Sequence, residues 1–265
     1  MTDRDDESPP HALLENTPSA LVLKVGVFLH LTAPEIEALD ALDTREFGLA
    51  KGQDLAVEGD DIRSTYVVIE GWLGRYRMLE DGRRQIISFA LPGDILNLDG
   101  ALVTDYVYSV MALTDTVVCA VAAEAVIEVT QEHPRLGAAI SWMGARERTL
   151  LAEQIVRVGR RSAYERVAHL ILELLYRLHL VHEAEKRSYE LPLTQEVLGD
   201  SLGLSLVHVN RTLRRLRKEG LVRLEGNSLS IDDVDRLAEI AEFDPAYLRH
   251  EHIPDAAEKA INDPT

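Results

Sequence analysis

The chain has 265 residues, enough for two domains and a sizeable core, and it carries a formal net charge of −17 at pH 7. Its single cysteine, Cys119, excludes an intramolecular disulfide and a cysteine-cluster metal site, and the apolar segment VVCAV around it indicates a small buried side chain. No apolar run approaches the roughly 20 residues that span a bilayer, and the acidic first twenty residues are unlike a signal peptide, so we expect a soluble, cytoplasmic protein.

The N-terminal part predicts an arm followed by a helix. Residues 1–20 are acidic and contain proline and serine, which is typical of a flexible arm. Further along, Ile36, Leu39 and Leu42 follow a helical spacing, and Pro34 shortly after Thr32 indicates a helix start.

Short alternating runs punctuated by glycine fill residues 48–125. The segments TYVVIEG, LGRYRML, RQIISFA and TVVCAV predict strands because they are rich in β-branched and aromatic residues. Glu80-Asp81-Gly82 predicts a hairpin turn, and Leu91-Pro92-Gly93-Asp94 predicts a second one. Seven or eight such strands are typical of a barrel, a sandwich or a roll, and we assign residues 21–133 to this domain.

A long helix is predicted after Pro134. Its apolar stripe runs for about 25 residues, roughly 37 Å at 1.5 Å per residue, which is more than one small roll can cover. A parallel two-helix dimer seam is the favoured interpretation, and packing on the roll is the alternative. Residues 134–162 would then form a dimerisation helix and a hinge. The predicted interface residues are Ile140, Met143, Leu151, Ile155 and Val158.

Residues 194–220 predict a helix-turn-helix. Gly199 has no side chain where the two helices would cross, and Gly203 can adopt the positive φ that the turn requires. The second helix, residues 206–218, has Ser205 as a suitable N-cap.

A hairpin is predicted directly after these helices. Residues 221–231 alternate apolar and polar side chains on both sides of Glu225-Gly226-Asn227-Ser228. Helix-turn-helix and hairpin together predict a winged domain over residues 163–242, with helices at 163–180 and 232–241. Residues 243–265 are predicted to form an acidic tail.

The second helix of the motif has two chemically distinct sides. Val209, Leu213 and Leu216 fall on one side, and the other side is basic. Between residues 201 and 224 six Arg or Lys stand against one acid, a local charge of +5, although the whole chain is acidic. Such a distribution confines DNA contact to one patch. A core helix pair with a solvated basic side is the alternative. The predicted DNA-binding residues are Ser205, Val207, His208, Asn210, Arg211, Arg214, Arg215 and Lys218.

The order of roll, long helix, hinge and winged domain resembles the Crp–Fnr family of bacterial transcription regulators over about residues 20–240. The segments VEGDDIRSTYVVIEGWLGRY, ALPGDILNLDG and LTQEVLGDSLGLSLVHVNRTLRRL carry the resemblance, and the last of these with the trailing FDPAYL is similar to the FixK-like branch. The resemblance implies an α+β fold with an N-terminal cyclic-nucleotide-binding-like β-roll, a long dimerisation helix and a C-terminal winged helix-turn-helix. It also implies a homodimer on a two-fold symmetric DNA operator. RNA polymerase is an implied partner, with Glu80-Asp81-Gly82 as a candidate contact.

Departures from the family pattern bear on the ligand. Cyclic-nucleotide receptors of the family carry a Gly-Glu pair and an Arg-Ser pair where this chain has Asn97-Leu98 and Tyr108-Ser109. An anionic phosphate needs a cation or a cluster of backbone donors, whereas Asp99 and Asp105 add negative charge here. We therefore expect no cyclic-nucleotide binding.

Iron–sulfur clusters and haem, the other cofactors of the family, also need specific ligands. The iron–sulfur members use clustered N-terminal cysteines, which this chain lacks. Haem stays open, with His30 and Met78 as candidate axial ligands. No cofactor is predicted.

The reading face also departs from the family. Arg211 matches the family arginine that typically contacts O6 and N7 of guanine, but Val207 replaces a glutamate that reads cytosine. Val207 can instead pack on a thymine methyl group. The predicted half-site is therefore related to the usual one without being identical.

Two other function classes fit the sequence less well. A cupin-like metal enzyme needs histidines on the roll strands, and no histidine occurs between residues 31 and 132. A sensor that acts only through protein partners would leave the basic face of residues 206–218 without a role. We expect a DNA-binding regulator and no enzymatic activity.

Overall fold

The computed structural model of the chain describes residues 20–26, 29–42, 45–62, 64–97 and 105–248. Residues 1–19 of the predicted arm and residues 249–265 of the predicted tail lie outside these ranges. Two helices precede the roll, α1 (Ala20–Gly26) and α2 (Ala33–Asp40). The start of α2 is as predicted, since Pro34 lies in its first turn and the Glu35 carboxylate accepts from the Thr32 N–H at 2.7 Å.

The roll consists of two antiparallel four-stranded sheets. The first has the strand order β1-β8-β3-β6 and the second has the order β2-β7-β4-β5. Apolar side chains between the sheets, among them Val68, Leu73 and Val118, form a core cluster. The four segments predicted as strands are strands β3, β4, β5 and β8. Within the described residues the eight strands of the roll are β1 (Arg45–Leu49), β2 (Asp54–Ala56), β3 (Ser64–Glu70), β4 (Leu73–Met78), β5 (Arg84–Ala90), β6 (Ile95–Leu96), β7 (Ser109–Ala112) and β8 (Thr116–Ala122).

The two predicted turns have different roles. The first closes the β4–β5 hairpin, with the Leu79 N–H donating to the Arg83 carbonyl at 2.8 Å. The second is a turn but does not close a hairpin, because β5 and β6 belong to different sheets. The turn instead connects β5 in the second sheet to β6 in the first. The Gly93 N–H anchors it by donating to the carbonyl of Val68 in β3 at 2.8 Å.

The long helix α4 (Pro134–Arg160) begins as predicted, but its apolar stripe serves two purposes. Leu136 and Met143 are buried in a cluster with Val67 and Cys119 of the roll, and Ile140 packs against this cluster. Met143 therefore packs within its own chain and is not among the exposed residues of α4, unlike what the predicted interface requires. The stripe becomes exposed further along, where Ile155 is 69% exposed. Helical spacing alone does not distinguish these two surroundings.

A helix that the sequence analysis missed, α3 (Ala123–Glu132), connects the roll to α4. It is rich in β-branched residues, which disguise its helical spacing. None of the helices in the described ranges is long and apolar enough to cross a membrane.

The C-terminal domain is a winged helix-turn-helix. Its sheet has the order β10-β11-β9, so the predicted hairpin is present and a third strand, β9, joins it. The elements are α5 (Ala163–His179), β9 (Ser188–Glu190), α6 (Gln195–Leu202), α7 (Leu206–Lys218), β10 (Val222–Glu225), β11 (Ser228–Ile231) and α8 (Val234–Ala241), followed by a 3₁₀ turn at Pro245–Tyr247.

The winged domain extends beyond the boundary drawn from the sequence. Phe243 and Leu248 are 8% and 4% exposed and belong to the core of the domain, so the domain extends beyond its predicted end at residue 242. The same cluster includes Ile86, Phe89 and Leu91 of the roll. The roll and the winged domain thus share one continuous apolar core.

Candidate DNA-binding surface

The helix-turn-helix is built from local signals in the chain. Thr194 caps α6, because its hydroxyl accepts from the Val197 N–H at 3.2 Å. Gly203 ends the helix at φ +64°, the left-handed region that favours glycine. A Cβ on Gly199 would lie 2.6 Å from the Leu204 carbonyl oxygen, so only glycine fits this close approach.

The bounds of the recognition helix α7 are those predicted. Ser205 caps its start, accepting from the His208 N–H at 3.4 Å, and Gly220 follows its end at φ +70°. Val209, Leu213 and Leu216 are buried against the rest of the domain. This packing turns the opposite side of the helix toward solvent.

Three basic side chains on that outer side are available to a ligand. Arg211, Arg214 and Lys218 are exposed, and none of them makes a hydrogen bond or ion pair with another residue in the described part of the chain. At the N-terminal end Val207 is 73% exposed and Leu206 is 55% exposed. Leu206 is not among the predicted DNA contacts, although its place directly after the N-cap Ser205 is a local signal for an exposed side chain. The outer side of α7 therefore has an apolar N-terminal tip followed by three cations.

Two predicted contacts are already engaged within the chain. Asn210 is half-buried and its side-chain amide donates to the side-chain carbonyl of Gln195 at the start of α6. Arg215 Nε donates to Glu219 at 2.8 Å, and its guanidinium lies 4.0 Å from the centroid of the Tyr164 ring. These contacts hold both side chains against the domain.

The contacts among Tyr164, Arg215 and Glu219 shift the pKa values of Tyr164 and Glu219. Burial and the hydrogen bond to Glu219 raise the pKa of Tyr164 to about 12. The hydrogen bonds that Tyr164 and Arg215 donate lower the pKa of the Glu219 carboxyl. Glu219 therefore stays ionised and neutralises Arg215 at the C-terminal end of α7. The remaining predicted contact, His208, is exposed with its Nδ1 3.0 Å from the Ser205 hydroxyl.

The roll positions that correspond to the family's ligand contacts are also described in part. Asn97 has φ +59° and donates to the Tyr106 hydroxyl at 2.6 Å, while Leu98 and Asp99 lie outside the described residues. The Arg75 guanidinium lies 5.7 Å from the centroid of the Tyr108 ring. Neither Asn97 nor Tyr108 supplies a positive charge.

A small cavity lies between the roll, α4 and α5. It has a volume of about 50 Å³, room for a few water molecules. Arg75 pairs with Glu147 across it, and Arg177 pairs with Asp94 at 2.7 Å. Burial lowers the pKa of a further lining residue, Arg146, to about 10. The ion pairs show that Arg75 and Arg177 are engaged by acids of the chain itself.

The candidate haem ligands lie on separate elements. His30 is exposed between α1 and α2, and its carbonyl accepts from Arg135 at 2.9 Å. Met78 is 54% exposed at the end of β4, next to the hairpin. These surroundings do not indicate a haem pocket formed by the two side chains.

Comparison with known protein families agrees with this architecture. Residues 165–240 match the Crp-like helix-turn-helix domain, and residues 47–133 match the cyclic nucleotide-binding domain. The second match identifies the roll as a domain of this type and not as a cupin.

Individual relatives span most of the chain. The nitrogen fixation regulation protein FixK of Bradyrhizobium diazoefficiens is 33% identical over 79% of this chain and 90% of its own length. The fumarate and nitrate reduction regulatory protein of Escherichia coli is 28% identical over 80% of this chain and 84% of its own. The structure of FixK2 from Bradyrhizobium japonicum matches with a TM-score of 0.67 and 28% identity, covering 74% of this chain and 96% of that one. The chain therefore belongs to the Crp/Fnr family of helix-turn-helix DNA-binding transcription regulators.

Proposed function

We propose that the protein acts as a homodimer that recognises a two-fold symmetric DNA operator through the outer side of α7, without cyclic nucleotide. The observation that carries the proposal is the exposed, unengaged set of cations on α7, in a chain whose net charge is −17. Acidic surroundings repel DNA elsewhere and favour contact at this side. The domains would be the roll (21–133), the dimerisation helix and hinge (134–162) and the winged domain (163–248).

Arg211 and Val207 are the proposed base-reading residues. A guanidinium on the groove side of a recognition helix forms two hydrogen bonds with guanine, and an exposed valine packs on the methyl group of thymine. Arg214 and Lys218, further along the helix, would contact phosphates, and Ser205 and His208, at the start of the helix, would lie beside the same groove edge. Asn210 and Arg215 would need to leave Gln195 and Glu219 before they could contact DNA.

Selection from randomised duplexes tests this proposal. The wild-type protein is expected to enrich a sequence with two-fold symmetry and half-site centres about one helical turn apart. The affinity for that sequence should fall steeply between 50 and 200 mM salt, because phosphate contacts release counterions. Recovery of no common sequence, or of an asymmetric one, would contradict the proposal.

The dimer is proposed to form along the exposed side of α4. Exposed residues on this side are spaced alternately by four and three, which is the spacing of a coiled-coil seam, and most are small enough for close helix approach. Leu151 and Val158 are half-buried beside the seam and Ile140 lies near its start. The exposed residues are Ser141, Ala145, Arg148, Ala152, Ile155 and Gly159.

Replacement of Ile155 by Asp tests the dimer. A carboxylate buried in the seam would repel its symmetry mate, so sedimentation velocity should show a shift from dimer to monomer. Ile127→Asp on α3, where the original side chain is 43% exposed, is the matched control and should leave the mass unchanged. A dimer that persists in Ile155→Asp would exclude this seam.

Cyclic nucleotide is not expected to bind, because Arg75 and Arg177 are held by Glu147 and Asp94. A nucleotide phosphate would have to displace a buried ion pair to reach either cation. Addition of millimolar cyclic AMP or cyclic GMP should therefore leave the melting temperature unchanged, and a rise of several degrees would overturn this part of the proposal.

RNA polymerase, the cellular location and the absence of catalysis complete the proposed function. The β4–β5 hairpin with Glu80-Asp81-Gly82 is exposed and is a candidate contact for RNA polymerase. A regulator that binds the chromosome would act in the cytoplasm. The named relatives are transcription regulators, which supports a role other than catalysis.

A further inference from the structure

The C-terminal end of α6 is the point at which the roll, the long helix and α5 meet. A helix end leaves its last carbonyl groups without partners inside the helix. Here Gln154 Nε2 of α4 donates to the Ser201 carbonyl at 2.6 Å, and Gln85 Nε2 of β5 lies 3.3 Å from the same oxygen. Arg166 Nη1 of α5 donates to the Leu202 carbonyl at 2.9 Å.

An ion pair joins the roll to the same helix. Both Nε and Nη2 of Arg84 lie 2.8 Å from Oδ2 of Asp200. The two side chains are 20% and 23% exposed, so solvent screens the pair less than it would a fully exposed one. The Arg84 guanidinium also lies 5.8 Å from the centroid of the Tyr76 ring, which restricts its position.

Apolar packing accompanies these polar contacts. Strand β5 is an edge strand of its sheet, and α6 lies against it. Ile86 and Phe89 of β5 belong to the same core cluster as Leu198 and Leu202 of α6. The helix that supports α7 is therefore fixed to the roll and not only to its own domain.

This docking leaves the reading side free. Val207 is 73% exposed, and Arg211 and Arg214 are exposed, while Asp200 is engaged with the roll. The arrangement is thus compatible with DNA contact and does not block it.

We propose that Arg84 and Asp200 are positioning residues for operator binding, because their ion pair sets the orientation of each recognition helix on its own roll. The inference rests on the proposed dimer. Two recognition helices that must occupy successive major grooves bind best when both are already oriented, since a loose domain loses more conformational entropy on binding. A single half-site engages one helix specifically and is insensitive to this orientation.

The test compares two DNA probes by fluorescence anisotropy. One is the symmetric duplex that the wild-type protein selects from a randomised pool, and the other is the same duplex with one half-site scrambled. Arg84→Ala and Asp200→Ala should each weaken binding to the symmetric duplex about tenfold, equivalent to about 1.4 kcal/mol. Binding of these variants to the scrambled duplex should match that of the wild type.

Two further variants separate positioning from damage. Arg83→Ala is the matched control, because Arg83 is the neighbouring exposed arginine and pairs with Asp81 inside the hairpin; it should bind both duplexes as the wild type does. The exchanged pair, Arg84→Asp combined with Asp200→Arg, should recover binding to the symmetric duplex.

The proposal is overturned by wild-type affinity of Arg84→Ala for the symmetric duplex, by equal losses on the two duplexes, or by no recovery in the exchanged pair. A wild-type protein that selects no symmetric duplex would overturn the proposed function as well. That outcome is distinct because it is seen before any substitution is made.

Discussion

Two groups of arginines in this protein have opposite surroundings. On the recognition helix Arg211 and Arg214 are exposed and have no acidic partner in the described part of the chain. Between the roll, α4 and α5, Arg75, Arg157 and Arg177 are between 2% and 6% exposed, and each of them pairs with an acid. The pairs are Arg75 with Glu147, Arg157 with Glu173 and Arg177 with Asp94.

The surroundings of each group of arginines determine what the group can bind. An exposed guanidinium exchanges water for a phosphate or a base edge at little cost. A buried, paired guanidinium can bind a new anion only after its ion pair is broken, and in surroundings of low dielectric this costs much free energy. Such an arginine therefore stabilises the fold and does not bind ligands. Burial and pairing, and not residue type, therefore separate the DNA-binding arginines from the structural ones.

The largest effect is expected on the buried side. Glu173→Gln removes the charge that faces Arg157 and should lower the free energy of unfolding by about 3 kcal/mol, because an uncompensated charge remains in the core. Glu219→Gln is the control on the exposed side, where the carboxylate faces Arg215, and no measurable loss is expected. Urea unfolding measures both, and equal losses would contradict the comparison.

On the exposed side the effect should appear in DNA recognition alone. Arg211→Ala should remove about 2 kcal/mol of discrimination between the selected operator and one altered at the guanine that Arg211 reads. The variant should remain a dimer with an unchanged melting temperature. Arg236→Ala, an exposed arginine of α8, is the control. Full discrimination in Arg211→Ala would show that the reading residues are assigned wrongly.

His169 of α5 contacts the buried Arg157 and should make the free energy of unfolding depend on pH. Burial first, and then the charges of Arg157 and Arg161, lower its pKa from 6.5 to about 2. The unfolded chain binds a proton at this position below pH 6.5 and the folded chain does not, so stability falls as the pH falls. His169 alone should lower the free energy of unfolding by about 2 kcal/mol between pH 7 and pH 5.

His169→Gln cannot bind this proton and should lose that share of the pH dependence. Urea unfolding at pH 7 and at pH 5 gives the difference for each protein. Parallel losses in the variant and the wild type would mean that His169 becomes protonated in the folded state. The Glu153 carboxylate, whose Oε1 lies 3.1 Å from His169 Nε2, would then outweigh the arginines around the ring.

The smallest effect is expected at the C-terminal end of the recognition helix. Lys218→Ala should weaken binding to all duplexes alike and reduce the slope of log affinity against log salt by about 1, as expected for one phosphate contact. Anisotropy titrations at several salt concentrations measure the slope. A loss confined to the selected operator would instead assign a base contact to Lys218.

Local signals made the helix-turn-helix predictable from the sequence. Thr194 and Ser205 cap their helices, Gly203 supplies the positive φ of the turn, and the two sides of α7 follow from its apolar spacing. Each of these features depends on residues within a few positions of one another. For the same reason the strands around the β4–β5 hairpin were predicted correctly.

Contacts between distant residues decided the rest. The same apolar spacing buries Met143 against the roll and leaves Ile155 exposed, and only the packing of α4 distinguishes them. Phe243 became part of the core because α5 lies beneath it, and Asn210 is engaged because Gln195 faces it across the turn. Local sequence patterns are enough to predict a helix that can contact DNA bases. Which arginines are free to make such contacts depends on tertiary packing, because only the fold brings to the others the acids that neutralise them.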